Sequence, residues 1–475
     1  MKLWGGRFAG GRGDPLFEAY SESFSFDQRL VVYDLRVNRI YVRHLAEAGV
    51  LGKAEARKIA RGLESIRRYV ESHPAWARGE SSEDVHTWVE HRLEKEVGPV
   101  AKKLRTGRSR NDLVATETRL YAKDAIDELL RAATDVLDAL LRRAEERLGA
   151  ILPGYTHLQP AQPILFSHYL LAYFEMFSRD ASRLIDCRAR ADELPLGAGA
   201  LAGTAFAIDR AALARELGFG RVARNSLDVT SDRDFVCELL FACSLAQTHL
   251  SRLAEDLILY SSPAFGYVEL SDEYTTGSSL MPQKKNADSL ELIRGRAARV
   301  TGRLTSMIML LKGLPLAYDR DLQEDKVALF DGVDTARDSL EIAARVLRTL
   351  RINADKMKAA TQLGFLTATD VADELVRRGA PFAKAHEETG KLVRYCLTAG
   401  KTFAELSASE AKRIIPSWDQ RLARVAASPE LSIEQRNVTG GTSRSQVARQ
   451  IEAGKRTLMQ LKRQLKPAGK TARRS

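Results

Sequence analysis

The sequence runs to 475 residues, 44% hydrophobic and 28% charged, the balance of a globular protein with several domains' worth of core. Its formal net charge is +11 and its pI about 9.4, which suits a small polyanionic substrate as well as nucleic acid. Much of the excess lies in the tail from Lys455 to Ser475, which reads as frayed and carries no interleaved aromatics, so no nucleic-acid partner is expected.

The opening "MKLWGGRFAGGRGDP" has no apolar leader, and no uninterrupted apolar run nears the roughly 18 residues of a membrane span. Cys187, Cys237, Cys243 and Cys396 show no CxxC spacing. A cytoplasmic protein with inert thiols and no membrane contact is the expectation. Further on, "SSEDVHTWVEHRLEKE" sets His86 and His91 among acidic residues. The pattern matches neither zinc-protease motif, and the two positions lie about 140° apart on a helix, so no metal site is expected. In "LRTGRSRNDLVAT", Arg105, Arg108 and Arg110 surround Gly107 ahead of Asn111 and Asp112. Ser109 or Asn111 can cap a helix there, and the arginines can equally clamp carboxylates; both readings stand.

From Leu113 to Leu148 there is no Gly or Pro, and Ile126, Leu130, Ala133, Leu137, Leu140, Ala144 and Leu148 form an apolar stripe at helical spacing. "GYTHLQPAQPI" then places Thr156 and His157 on a connection pinned by Pro153, Pro160 and Pro163. His157 suits proton transfer near neutral pH, or a hydrogen-bonded structural role. Break-free helical runs follow between Pro163 and Pro195 and from Ser231 to Ser262. The intervening "LGAGALAGTAF" has the wrong glycine spacing for a dinucleotide loop, and no strand precedes it.

In "TTGSSLMPQKKNADSLELIRG", Gly277 and Pro282 keep the first half out of a helix, and "ADSLELIRGRAARV" forms one. A Ser, two lysines and an Asn thus precede a helix N-terminus, an arrangement suited to an anion or merely to a solvated loop. Asp288–Leu311 and Asp321–Arg351 continue the helical theme, interrupted by Gly295, Gly302 and Gly332. "AYDRDLQEDK" supplies Tyr318, Gln323 and Lys326, the last two on one helix face. Helices this long need neighbours along their length, so the fold is mainly α, built on a long-helix bundle with helices shared between subunits. The expected division is 1–108, an N-terminal helical domain; 109–360, the central bundle; and 361–475, a C-terminal helical domain with the basic tail.

"TGRSRND", "GYTHLQPAQP", "NSLDVTSDRDF" and "GSSLMPQKKN" together resemble the signature regions of the fumarase/aspartase superfamily. "KLWGGRF" and "DLQEDK" narrow the resemblance to its argininosuccinate lyase/delta-crystallin branch. The resemblance implies a three-domain, almost all-helical protomer and a homotetramer with a twenty-helix core, whose active sites each draw on three subunits. It further implies reversible, cofactor-free and metal-free β-elimination of argininosuccinate to arginine and fumarate, the last step of arginine biosynthesis. By position, Ser278 is the implied base on a mobile loop, His157 its acid/base companion, Glu291 the carboxylate that orients His157, and Lys284 a cation for the developing charge. Ser23, Asn111, Thr156, Tyr318, Gln323 and Lys326 are implied substrate contacts, and His86, Ser109, Arg110, Arg233 and Asn286 further members of the site. Asp84 would complement the guanidinium end.

The sequence departs from the family pattern at Asn38, Leu113, Ala205 and Ala287, where Ser, Gln, Thr and Pro are usual. A related fumarate-releasing lyase of the superfamily and an inactive structural paralogue are the alternative readings.

Overall fold

The computed structural model describes residues 14–465. The "KLWGGRF" segment, the leader reading and the tail beyond Leu465 lie outside them.

The N-terminal part packs three helices, α1 (Val31–Glu47), α2 (Lys53–Ser72) and α3 (Val85–Val97), around Leu35, Val42, Ile59, Leu63, Val89 and Leu93, all essentially sealed from solvent. The 37-residue α4 (Arg110–Glu146) follows, about 55 Å long at the α-helical rise. Its start settles the question left open above. Ser109 is the cap: its hydroxyl accepts from the Asn111 N–H at 3.2 Å, and its own N–H donates to Asp112 at 3.0 Å.

The bundle is completed by α5 (Phe166–Ala191), α6 (Asp234–Ser261), α7 (Asp288–Leu311) and α8 (Asp325–Thr349). The Gln247 amide ties three of these together, donating from α6 to Ser339 of α8 at 3.1 Å and to the Ile293 carbonyl of α7 at 3.3 Å. Gly332 lets α8 approach α6 closely, since a Cβ there would lie 2.3 Å from Leu240 Cδ2. A second, separate core forms around α9 (Phe382–Ala399), with Val371, Leu375, Leu392, Trp418 and Leu422. The last helix, α10 (Arg444–Gln464), returns to the bundle, where Val447, Ile451 and Leu458 join the main core.

Mainly α is therefore correct, with four two-stranded pairings among the described residues. The proline-rich connection after α4 is an antiparallel hairpin of β1 (Ile151–Thr156) and β2 (Gln159–Leu165). A two-stranded ribbon has only edges, which is why it accommodates Pro153, Pro160 and Pro163.

Among the described residues no helix is long and apolar enough to cross a membrane. All four cysteines are unpaired, and only Cys237 is not fully buried. Helix α7 buries few of its side chains and leaves Leu292, Ile308 and Met309 more than half exposed. Such a face on a bundle helix lacks a partner among the described residues.

Candidate active site

A cleft of about 710 Å³ opens where the 23–27 segment, α3, the start of α4 and the 318–326 segment meet. It collects Ser23, His86, Ser109, Arg110, Asn111, Tyr318, Gln323 and Lys326, which lie up to three hundred residues apart in sequence.

One wall is acidic. The buried Ser23 hydroxyl donates to Asp27 Oδ2 at 2.7 Å, and Asp27 Oδ1 accepts from the Val85 N–H at 3.0 Å. Burial pushes the Asp27 carboxyl up to about 6, against the opposing pull of His86, the Ser23 hydroxyl and Lys326. Asp84 caps α3 through the Thr87 N–H at 2.7 Å and receives Arg110 at 2.7 Å. Burial would raise the Asp84 carboxyl, but the charges of His86 and Arg110 and the Thr87 hydrogen bonds outweigh it and hold the group below its ordinary range. Arg110 is thus engaged with Asp84 and with the Thr87 hydroxyl at 2.7 Å.

The lining also carries cations and amides. Arg105, Arg108, Arg320 and Lys326 line it, with Asn111 and Gln323. Arg320 and Gln323 both donate to the Ser21 carbonyl, at 2.7 and 3.3 Å. Lys326 donates to Asp325 at 2.7 Å, and Asp325 also receives the guanidinium of Arg233. Arg233 therefore stands behind the cleft rather than in it, 0% exposed. Burial is the chief cause that lifts the Tyr318 hydroxyl above its usual range. The residue before it, Ala317, holds a positive φ of 69°, an uncommon backbone state for a residue with a Cβ and one that turns Tyr318 into its place.

The glycine-rich stretch rejected as a nucleotide loop forms the rest of the lining, through Gly199, Ala200 and Gly203–Phe206. Asp112 holds it: Oδ2 accepts the N–H groups of Gly197 at 3.0 Å and Gly199 at 2.9 Å. Both glycines have positive φ, and a Cβ at Gly199 would meet the Gly203 carbonyl at 2.8 Å. Sequence reasoning missed this lining, together with Asp27 and Arg320. The glycines were the available signal, but the wrong chemistry was tested on them.

The remaining expected residues lie in two other places. Thr156 and His157 are exposed at the tip of the hairpin. Thr156 pairs with Gln159, so His157 and Leu158 alone make the turn, with φ of 55° and 58°. Two successive left-handed residues define a type I′ turn, which ordinarily selects Asn and Gly. A His and a Leu there carry local strain, the kind that clusters at functional positions.

The third place is the 276–286 loop, pinched at its base by pairing of Thr276 with Asn286 and Gly277 with Lys285. Ser278 Oγ accepts from the N–H groups of Leu280 at 3.2 Å and Met281 at 3.1 Å. Lys285 pairs with Asp272 at 2.6 Å, while the exposed Lys284 has no ion pair among the described residues. Asn286 reaches back to the Gly277 carbonyl at 3.5 Å, and Glu291 lies in the first turn of α7. Within one chain no hydrogen bond or ion pair joins Glu291 to His157, and neither Ser278 nor His157 lines the cleft.

Comparison with known proteins places this geometry. A family profile described as "Lyase" matches residues 6–302, and one described as "Argininosuccinate lyase C-terminal" matches residues 365–434. The argininosuccinate lyase of Pelotomaculum thermopropionicum is 48% identical over 457 residues, covering 96% of this chain and 99% of that protein. That of Thioalkalivibrio sulfidiphilus is 48% identical over 462 residues, covering 97% and 98%. The chain belongs to the argininosuccinate lyase family.

Among solved structures, an EDDS lyase in complex with formate superposes with a TM-score of 0.84 at 27% identity, covering 96% of this chain and 92% of that one. A class II fumarase from Schistosoma mansoni shares the fold, with a TM-score of 0.71 at 17% identity over 84% and 90% of the two chains. As an argininosuccinate lyase family member, the chain spreads its signature residues over a cleft, a strained hairpin tip and a pinched loop. Of the four departures from the family pattern, Leu113 and Ala205 line the cleft, Ala287 precedes α7 without a side-chain cap, and Asn38 lies buried beside Asp34.

Proposed function

We infer that this chain is a carbon–nitrogen lyase that splits argininosuccinate reversibly into arginine and fumarate. The observation that carries the reading is the mixed charge of the cleft. Its lining offers Asp27 and Asp84 to a guanidinium or ammonium group, and Arg108, Lys326, Asn111 and Gln323 to carboxylates. A substrate with cationic and multiply anionic ends matches both sets of groups.

β-Elimination removes a proton from the carbon next to a carboxylate and expels the guanidinium nitrogen from its neighbour. The intermediate carries extra negative charge on that carboxylate, so catalysis needs preorganised cations and donors around it. Lys284, Asn286 and the N-terminus of α7 supply them from the 276–286 loop. Ser278 takes the proton, its alkoxide favoured beside Lys284, and His157, oriented by Glu291, is the acid/base companion. Thr156 and Ser109 complete the substrate contacts, and no bound metal or organic cofactor enters the scheme.

The three clusters do not converge within one chain, so each site is completed by neighbours in a homotetramer. The exposed apolar face of α7 supports that assembly. Three domains, divided near residues 108 and 360, serve it.

The test is to supply argininosuccinate, adenylosuccinate and aspartate separately, without metal or nucleotide, and follow fumarate. Release from argininosuccinate alone is expected; release from another substrate alone would replace the specificity, and a silent, folded protein would favour the inactive paralogue.

Asp27 makes a pH prediction. Its ionised form grips the cationic end of the substrate, and its carboxyl titrates at about 6. Below that value kcat/KM should fall by about tenfold per pH unit, since this ratio reports ionisations of the free enzyme. Asp27→Asn should lower kcat/KM near neutrality and flatten this acid limb. An unchanged limb in initial rates between pH 5 and 8 would assign it to another group.

A further inference from the structure

Behind the cleft lies a buried cluster that the scheme above does not use. Glu117 of α4 is 0% exposed, and neither of its carboxylate oxygens accepts from an N–H or hydroxyl donor; its side-chain partner is the Asp34 carboxyl. Its Oε2 lies 3.6 Å from His86 Nδ1. Asp34 of α1, 1% exposed, is already doubly engaged: Oδ2 accepts from His86 Nδ1 at 2.7 Å, and Oδ1 accepts from the Asn38 amide at 2.5 Å. With Nδ1 committed to Asp34, Nε2 is the ring nitrogen that His86 has left to offer the cleft it lines.

Two carboxylates and one imidazolium sealed together would leave an uncompensated negative charge, which burial penalises heavily. The carboxylate without donors is the one that gives up its charge. Resting on the lyase reading, we propose that Glu117 is held as a neutral carboxylic acid and that Asp34, positioned by Asn38, keeps His86 an imidazolium, so that its Nε2–H is a permanent cationic donor to a carboxylate of the substrate. Asp34, Asn38 and Glu117 are then positioning residues, and Asn38, one of the family departures, acquires a role as the amide that fixes the Asp34 carboxylate.

The charges around the pair favour this state. Burial alone would lower the His86 pKa; any ionised fraction of Glu117 would raise it most, and with Glu117 neutral the Asp34 hydrogen bond and the charges of Asp84 and Asp34 still act to raise it. Burial drives Glu117 well above the carboxylate range; the charge of Asp34 raises it further, while His86 and Arg108 oppose. Asp27 also interacts with the His86 charge. The sign of the linkage follows. A histidine whose folded pKa is raised above its unfolded value near 6.5 stabilises fully below pH 6.5, and that contribution is lost as pH rises through the raised folded value.

The test compares Asp34→Asn and Glu117→Gln with the wild-type protein from pH 6 to 10. The melting temperature of wild type should exceed that of Asp34→Asn by a gap that closes towards pH 10, whereas Glu117→Gln, an isostere of the neutral acid, should run parallel to wild type. In the activity arm, Asp34→Asn should raise KM for argininosuccinate about tenfold or more at pH 8, the loss of a charged hydrogen bond, with recovery towards pH 6 and a smaller change in kcat.

A constant gap for Asp34→Asn would show that His86 is not held charged. A pH-dependent divergence of Glu117→Gln from wild type would show that Glu117 is ionised. Asp34, His86 and Glu117 also form a donor set for a divalent cation. A melting temperature that drops on dialysis against EDTA and returns with Zn²⁺ would therefore replace the proton reading with a metal. If wild type releases no fumarate, the lyase reading falls, while the melting curves still report the charge on His86.

Discussion

Ser278→Ala should lower turnover by about 100- to 10,000-fold, the range for removal of a positioned general base, while leaving the fold and assembly intact. The physical basis for the second half is local. Among the described residues the Ser278 hydroxyl hydrogen-bonds within its own loop, accepting two backbone N–H groups near the tip, so its loss leaves the bundle's hydrogen bonds untouched. His157→Asn should give a loss of similar order, and Asn tolerates the left-handed backbone at 157 better than most residues.

Because Ser278 and His157 sit in separate places on the chain, mixing the two inactive proteins through unfolding and reassembly should restore activity. If each site takes the two residues from different subunits, random reassembly leaves about a quarter of sites with both wild-type groups. Steady-state fumarate release from each variant and from the reassembled mixture checks both statements. Near-normal turnover by Ser278→Ala would end its assignment as the base, and a mixture no better than its parents would put both residues of each site on one chain.

Asp325→Ala should be the most damaging single change to stability among the site's supports, costing about 3–5 kcal/mol, the scale for breaking a buried ion pair from one side. Asp325 and Arg233 are both 0% exposed and Lys326 only 3%. The one carboxylate receives both cations. Without it two buried positive charges face each other, and the Lys326 wall of the cleft loses its anchor. Asp325→Asn, which keeps a hydrogen-bond acceptor but no charge, should fall between wild type and Asp325→Ala. Urea unfolding monitored by circular dichroism measures the loss as a shift in midpoint at unchanged slope. A midpoint within experimental error of wild type would mean that solvent or rearrangement satisfies the two cations.

Much of the architecture was readable because it is written in local chemistry. The apolar stripe from Ile126 to Leu148 with no Gly or Pro leaves α4 little alternative, and Asp288–Leu311 emerges as α7 with the bounds read from Gly277, Pro282 and the polar first turn. Signature stretches such as "TGRSRND" and "GSSLMPQKKN" likewise carry their family in consecutive residues.

The hairpin was not readable. Its turn uses His157 and Leu158 where an Asn-Gly pair would have announced it, and its strands are interrupted by prolines that only an isolated ribbon accepts. The glycine-rich lining was missed for a different reason. Gly197 and Gly199 are shaped by Asp112, more than eighty residues away, and no local pattern records that partnership.

The sequence by itself determined the helical class, the long bundle helices, the family and the residue types that chemistry requires, because each rests on periodicity or on short contiguous motifs. Tertiary structure decided which of those residues meet. It drew Ser23, His86, Asn111 and Lys326 to one cleft, withdrew Arg233 behind it, and left Ser278 and His157 elsewhere on the surface. It also set the charge states of Asp27, His86 and Glu117. Those depend on burial and on neighbours from distant helices, and a pKa belongs to a place in the fold rather than to a position in the chain.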